Sequence, residues 1–281
     1  MTDIFKREQK LLQTPEIWCG ILAKIAWGWK FLEGWEVALI KSKERFNIAN
    51  CSRQLGKSHT AMLKAVHTAI SNPNSLQLVV AEQRQSNEDL RRARDLCKAY
   101  DEYLGDVSDN KHGLALITDN KTSLELVNGS RIIALPGNEK IRGYANPLVV
   151  YIDEAARLSD EVFIALEPMI TIGTGQLFLL STPNGPTGFF YKEWNNPRYT
   201  LRLEVPWFES ERLKDNAGFR KDIERARMLY GEAYVKQEFE CCFLDTIGTL
   251  FPQRELEQSI DDETDVFPDI MDKVNKRLQE I

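Results

Sequence analysis

The chain has 281 residues, 43% hydrophobic and 28% charged, with a formal net charge of −6, an ordinary globular composition with room for a full core. Residues 251–281 hold four basic and nine acidic residues, leaving about −1 for the other 250, which excludes recruitment of nucleic acid by a global field and leaves DNA contact to a local basic patch. No apolar run reaches membrane length, the charged start is no signal peptide, and five cysteines without a C-x-x-C pair argue against zinc and fit a reducing cytoplasm.

Residues 1–45 read as mainly helical and carry Trp18, Trp27, Trp29 and Trp35, which fits packing of this segment on a larger domain. Phe46 to Asn50 reads as a strand. It leads into Asn50-Cys51-Ser52-Arg53-Gln54-Leu55-Gly56-Lys57-Ser58, and a helix follows with Ala61, Met62, Ala65, Val66, Ala69 and Ile70 at helical spacing. Strand, tight loop, Gly-Lys-Ser and helix is the layout of a phosphate-binding loop. The unpaired N–H groups and dipole of a helix N-terminus favour phosphate. Gly56 lets the backbone come close, Lys57 can reach the β- and γ-phosphates, and the Ser58 hydroxyl can ligate Mg²⁺. Cys51 stands where such a loop usually has its leading glycine. On these residues alone, a helix start with a solvated lysine serves equally well.

After a turn at 71–74, Leu76 to Ala81 reads as a buried strand. Residues 85–104 read as an amphipathic helix with Leu90, Ala93, Cys97, Tyr100 and Leu104 on one face. Arg91, Arg92, Arg94 and Lys98 lie mostly elsewhere, on a solvated face or a DNA-facing one. Leu124, Leu126 and Ile132 to Leu135 flank Asn128-Gly129, a hairpin signal. Pro147 to Ile152 is a buried strand ending in Asp153-Glu154. Leu177 to Leu180 is another, ending in Ser181-Thr182-Pro183-Asn184-Gly185. Leu201 to Val205 is the last strand, and 216–240 reads as helical with Phe219, Ile223, Ala226 and Ala233 near one stripe. Alternating strands and helices predict an α/β fold with a mostly parallel sheet.

A strand ending in two carboxylates supplies the other half of a P-loop NTPase, because strand C-termini open into the ligand crevice. Asp153 would hold Mg²⁺ and Glu154 would polarise the attacking water. An acidic helix start explains the pair in isolation. Combined with Gly-Lys-Ser, it points to a nucleotide hydrolase.

At this point the chain resembles the large terminase subunits of tailed bacteriophages, the ATP-driven DNA-packaging motors. Three blocks carry the resemblance: Ser52 to Ser58 as a variant Walker A with Arg-Gln and no leading glycine; Tyr151-Ile152-Asp153-Glu154-Ala155-Ala156 as Walker B with its catalytic glutamate; and Ser181 to Gly185 followed by Gly188-Phe189-Phe190-Tyr191 as the coupling motif and its sequel. The resemblance covers roughly residues 30–250 and implies an ASCE/RecA-like three-layer αβα sandwich. It divides the chain into a helical N-terminal segment or lid (1–45), an ATPase core (46–250) and an acidic tail (251–281).

The same resemblance assigns ATP to Arg53, Gln54, Leu55, Gly56, Lys57, Ser58 and His59, and Mg²⁺ to Ser58 and Asp153. Glu154, Lys57, Arg53 as a cis arginine and Arg142 as a trans finger would be catalytic. Surface or loop arginines are the alternatives for Arg53 and Arg142. Ser181, Thr182 and Pro183 would couple phosphate loss to DNA movement, or form a simple turn. Trp35-Glu36 falls near the family's adenine motif, an aromatic followed by glutamine; an ionised glutamate only accepts hydrogen bonds, so adenine selectivity is open there. Implied partners are double-stranded DNA, the phage portal and the small terminase subunit, in a ring of copies that are monomeric in solution, in the host bacterial cytoplasm and away from membrane.

Full-length members continue into a nuclease domain. Here Asp261, Asp262, Glu263 and Asp265 read as a solvated tail, so the expectation is the ATPase half without nuclease activity. A helicase-like translocase and a non-catalytic nucleotide-binding remnant are the alternatives.

Overall fold

The computed structural model describes residues 10–107, 116–138, 141 and 143–244. Two helices come first, α1 (Pro15–Trp27) and α2 (Gly34–Lys41). The alternating part follows: β1 (Phe46–Cys51), α3 (Lys57–Ser71), β2 (Leu76–Ala81), α4 (Gln83–Val107), β3 (Leu116–Asp119), β4 (Ser123–Leu126), β5 (Arg131–Pro136), β6 (Val149–Asp153), α5 (Asp160–Ile172), β7 (Gln176–Ser181), α6 (Gly188–Trp194) and β8 (Leu201–Val205). Helices α7 (Ala217–Tyr230) and α8 (Glu232–Phe239) complete the described part.

The strands form one eight-stranded sheet in the order β3-β4-β5-β2-β6-β7-β1-β8. The run from β5 to β8 is parallel, and β4 and β3 add antiparallel at one end. Successive side chains of a strand point to opposite faces, and both faces here are buried. Ala49, Val79, Tyr151, Phe178 and Leu180 pack under Trp18 and Leu22 of α1, Leu39 of α2, Met62 of α3 and Leu90 of α4. Ile48, Leu78, Val150, Ile152 and Leu179 face Val162 and Leu166 of α5 and Phe189 and Phe190 of α6. The result is the expected three-layer α/β sandwich.

The parallel register builds the site. All these strands end on the same edge of the sheet. Asn50 of β1 lies opposite Ser181 of β7, and Leu180 lies opposite Asp153 of β6. The loop after β1, the Ser181-Thr182 segment and the Asp153-Glu154 pair therefore leave the sheet side by side.

The predicted strands and hairpin agree with the structure, as does the buried face of α4, whose Leu90, Ala93, Cys97, Tyr100 and Leu104 are all buried. The stretch 216–240 is not one helix. Gly231, with φ of 85°, breaks it into α7 and α8, a backbone conformation glycine takes without steric cost. Phe219, Ile223, Val235 and Phe239 form a separate small core there. Residues 245–281, including the acidic tail, lie outside the described residues.

The N-terminal helices are pinned by aromatic packing. Trp18 meets the His67 ring at 5.2 Å, and Trp27 meets the His59 ring edge-on at 4.6 Å. Burial, with Arg92 and Arg212 nearby, pushes the His59 pKa down from 6.5 to about 4. The folded chain thus keeps His59 neutral where the unfolded chain takes up a proton, so stability is full above pH 6.5 and is lost as pH falls towards 4. The expected loss is about 3 kcal/mol from this group, and His67, also lowered, first of all by burial, acts in the same direction. Chemical denaturation of wild type and His59→Gln at pH 4.5 and 7 should show a smaller acid loss in the variant. A second prediction concerns Gly175, ahead of β7, where a Cβ would lie 2.2 Å from the Pro147 carbonyl oxygen and 2.9 Å from that of Leu148. Gly175→Ala should lower unfolding free energy by about 1–3 kcal/mol through forced backbone displacement, measured by the same titration.

Candidate functional site

The loop between β1 and α3 takes its shape from two residues. Gln54 has φ of 62° and Gly56 φ of 90°. Cys51, by contrast, is the last residue of β1 and is fully buried in the core. Its position is regular strand, so the turn makes no demand for glycine there. No side chain caps α3, which leaves its first N–H groups directed at the space before the helix.

That space is a cleft of about 530 Å³ lined by Arg53, Gln54, Leu55, Gly56, Lys57, Ser58 and His59, together with Glu154, Trp29, Gln85, Arg92, Arg212 and Leu213. Lys57 Nζ lies 2.9 Å from Glu154 Oε1. Burial alone would push the Lys57 ammonium down, but Glu154 and Asp153 overturn that and hold its pKa above the ordinary lysine value. Ser58 donates to Asp153 Oδ2 at 2.5 Å, and Gln85 Nε2 donates to the same oxygen at 2.9 Å. Asp153 is buried and its Oδ1 has no hydrogen-bond partner. Burial pushes its carboxyl pKa up, against the pull of Lys57.

A free carboxylate oxygen beside a serine hydroxyl fits a hard divalent cation that keeps most of its ligands as phosphate and water. No group of three or more potential metal-ligating side chains exists among the described residues.

A second set of charges flanks the loop. Arg53 pairs with Glu238 of α8 through its Nε, and the Arg53 N–H donates to the Glu238 carbonyl at 2.9 Å. Arg157 pairs with the other Glu238 oxygen at 2.8 Å and with Glu154 Oε2 at 3.6 Å. Ser181 and Thr182 are fully buried, Pro183 is buried beside them, and Ser181 Oγ accepts from the Ala156 N–H at 3.1 Å.

Trp35 and Glu36, expected to face an adenine, do not line this cleft. Glu36 is fully buried and completes a capping box at the start of α2, accepting from the Glu33 N–H, Thr60 and Arg212. Its acceptors are spent inside the protein. Trp35 donates to Glu33 at 2.8 Å. The aromatic at the cleft is Trp29, which sits over Gly56 and carries the Arg212 guanidinium 4.4 Å from its ring centroid. Arg212 also donates to the Leu55 carbonyl at 2.9 Å. Arg142 lies outside the described residues.

The structure therefore sets the acid pair against the loop, Asp153 on Ser58 and Glu154 on Lys57, and adds Trp29, Gln85, Arg92, Arg157, Arg212 and Glu238, which sequence reasoning did not single out for the site. Three of these had a local signal: Arg92 is i,i+3 from Asp89, with which it pairs at 2.8 Å, Arg157 is i,i+3 from Glu154, and Gln85 is i,i+4 from Asp89. Asp89 is fully buried, and burial followed by the nearby Asp153 carboxylate pushes its pKa well up.

Comparison with solved structures shows the same fold in three phage proteins. The large terminase ATPase domain of Thermus phage P74-26 superposes with a TM-score of 0.63 at 18% identity, over 79% of this chain and 97% of that one. The large terminase of bacteriophage HK97 does so with a TM-score of 0.63 at 13% identity, over 89% of this chain and 58% of that one. The large terminase of a thermophilic bacteriophage, solved in complex with ADP, gives 0.56 at 13% identity, over 79% and 53%. Against the last two, this chain spans little more than half the relative's length. The family described as terminase large subunit, T4likevirus-type, N-terminal, matches residues 48–258. With three-quarters of its length in that match, and with its loop, acid pair and Ser181 segment leaving the sheet side by side, the chain belongs to the large terminase subunit family.

Proposed function

We propose that this chain is the ATP-hydrolysing motor domain of a phage DNA-packaging terminase, and that the cleft between Gly56, Lys57 and Glu154 is where ATP is cleaved. The observation that carries this reading is the 2.9 Å contact of Lys57 with Glu154, beside the Ser58–Asp153 pair. It brings the phosphate-loop cation at the start of α3 and the water-polarising carboxylate just past β6 to one point.

The loop N–H groups and Lys57 bind the β- and γ-phosphates. As Lys57 turns to phosphate it releases Glu154, whose carboxylate then orients a water in line with the γ-phosphorus. Attack of that water breaks the bond to the β-phosphate oxygen and gives ADP and inorganic phosphate. Ser58 and Asp153 would hold Mg²⁺, which would neutralise phosphate charge when bound. Arg53, in the loop itself, adds positive charge as negative charge builds on the γ-phosphoryl group. Arg142 is assigned the trans role on the family resemblance. Trp29, Leu213 and Arg212 form the wall against which the base lies, with Trp29 as the stacking face.

Phosphate release is read at Ser181 and Thr182, which share the sheet edge with the loop and the acid pair. The work done is translocation of double-stranded DNA by a ring of copies, docked on a portal and fed by the small subunit, in the host cytoplasm. No helix among the described residues is long and apolar enough to cross a membrane.

Glu154→Gln keeps a hydrogen-bond acceptor for Lys57 and removes the base. It should bind ATP normally while turnover falls about 100- to 10,000-fold; wild-type-like phosphate release in that variant overturns the assignment of Glu154. Trp29→Ala should weaken ATP binding about 10-fold, the loss of roughly 1.4 kcal/mol of base stacking, read by titration with a fluorescent ATP analogue. Unchanged affinity would remove Trp29 from the base wall.

A further inference from the structure

We infer that Arg157 is a positioning residue for hydrolysis: it holds the second oxygen of Glu154 and is itself held by Glu238, so that the water-polarising carboxylate is aimed from α8. This rests on the ATPase reading above and adds a residue to it.

Glu154 is not placed by its strand. It lies just past β6 with φ of 51° and ψ of 41°, a left-handed conformation that costs energy for a residue other than glycine. A single 3₁₀ turn, Ala155–Arg157, follows at once, closed by the Arg157 N–H donating to the Glu154 carbonyl at 2.9 Å. The turn folds the chain back so that the Arg157 guanidinium returns to the carboxylate three residues earlier, at 3.6 Å from Oε2. That oxygen is buried and has no hydrogen-bond partner. Lys57 holds only the other one.

The turn is also clamped from the neighbouring strand. Ser181 Oγ accepts from the Ala156 N–H at 3.1 Å, and Asn184 donates to the Ala156 carbonyl at 3.3 Å. Arg157 itself reaches Thr182 Oγ1 at 3.5 Å. Its tightest contact is with Glu238 on α8, at 2.8 Å, where the Glu238 side chain is only 5% exposed. A carboxylate that buried keeps its cations firmly, because losing one leaves a desolvated charge.

The charges alternate: Lys57, Glu154, Arg157, Glu238, Arg53. Both ends of the row belong to the phosphate loop. A polyphosphate competes for those two ends and for neither carboxylate. Once Lys57 and Arg53 turn to it, Arg157 is the cation left between Glu154 and Glu238. Its weight in the site therefore grows at the moment when Glu154 must point at water. A planar guanidinium suits this task, since it can serve two carboxylates at once where an ammonium is a point donor.

The experiment measures steady-state ATP hydrolysis, binding of a fluorescent ATP analogue and thermal midpoint for wild type, Arg157→Ala, Arg157→Lys, Glu238→Gln and the Arg157→Ala/Glu238→Gln double variant. Arg157→Ala should lower kcat ~100-fold, the scale of a misplaced reacting group, with nucleotide affinity within about threefold of wild type. Arg157→Lys should recover part of kcat. The double variant should lose less than the product of the two single losses, because Arg157 and Glu238 share one contact, while Glu238 also holds Arg53. A lower thermal midpoint with kcat per folded molecule unchanged overturns the inference and leaves Arg157 a structural ion pair. So does a loss confined to nucleotide affinity. If Arg157→Ala does not fold, the kcat values of Arg157→Lys and Arg157→Gln decide by the same criterion. Wild-type protein that binds ATP without turnover overturns the ATPase reading and this inference together, whereas wild-type turnover with an unaffected Arg157→Ala overturns this inference alone.

Discussion

The contact between Lys57 and Glu154 depends on a strand that contributes to neither residue. β1 ends in the loop that carries Lys57, β6 ends in the acid pair, and β7 lies between them. The two chemical halves are therefore joined across an intervening strand, and only its register sets their separation. Asn50 opposite Ser181, and Leu180 opposite Asp153, place all three strand ends level. A one-residue slip of β7 would turn its buried Phe178 and Leu180 to the opposite face, so the packing of both layers protects the geometry of the cleft.

Around that contact the protein invests heavily in buried charge. Lys57, Asp153, Asp89, Glu36 and Glu238 are all buried, an arrangement that favours a hydrophobic replacement on stability grounds alone. Each of the carboxylates has an arginine, a lysine or a hydroxyl within reach. Arg53, Lys57, Arg92 and Arg212 line the cleft together with the single carboxylate of Glu154, a balance that suits an anion. Stability and function pull apart here, and the core on both sheet faces is what makes the cost bearable.

Much of the fold could be read locally. β1, its loop and α3 declare themselves through an apolar run, Gly-Lys-Ser and helical spacing; Asn128-Gly129 marks its hairpin; Asp153-Glu154 ends a run of five apolar residues. Much of what could not be read shares one property. Arg212 meets Leu55 from 157 positions away, and Arg53 meets Glu238 from 185. No pattern within a window links such pairs, since only tertiary packing brings them together. Trp35 and Glu36 show the reverse error. Their order fitted a family motif, but Glu36 sits three residues inside α2, where a glutamate serves the helix cap, and the aromatic at the cleft is six residues earlier. The break at Gly231 could have been read from its glycine, yet an apolar stripe on both sides concealed it.

The clamp that Arg212 forms with Glu33, Glu36, Trp29 and the Leu55 carbonyl has a bearing on how the chain matures. During synthesis the N-terminal helices and the phosphate loop leave the ribosome long before Arg212 does, and Glu238 later still. Until then Glu33 and Glu36 lack their cation and the loop lacks both of its outer supports. Contacts of such long sequence separation form late. The cleft beside Lys57 is thus finished only when nearly all of the described chain has emerged, so a nascent or truncated product lacks the supports that hold the loop before α3.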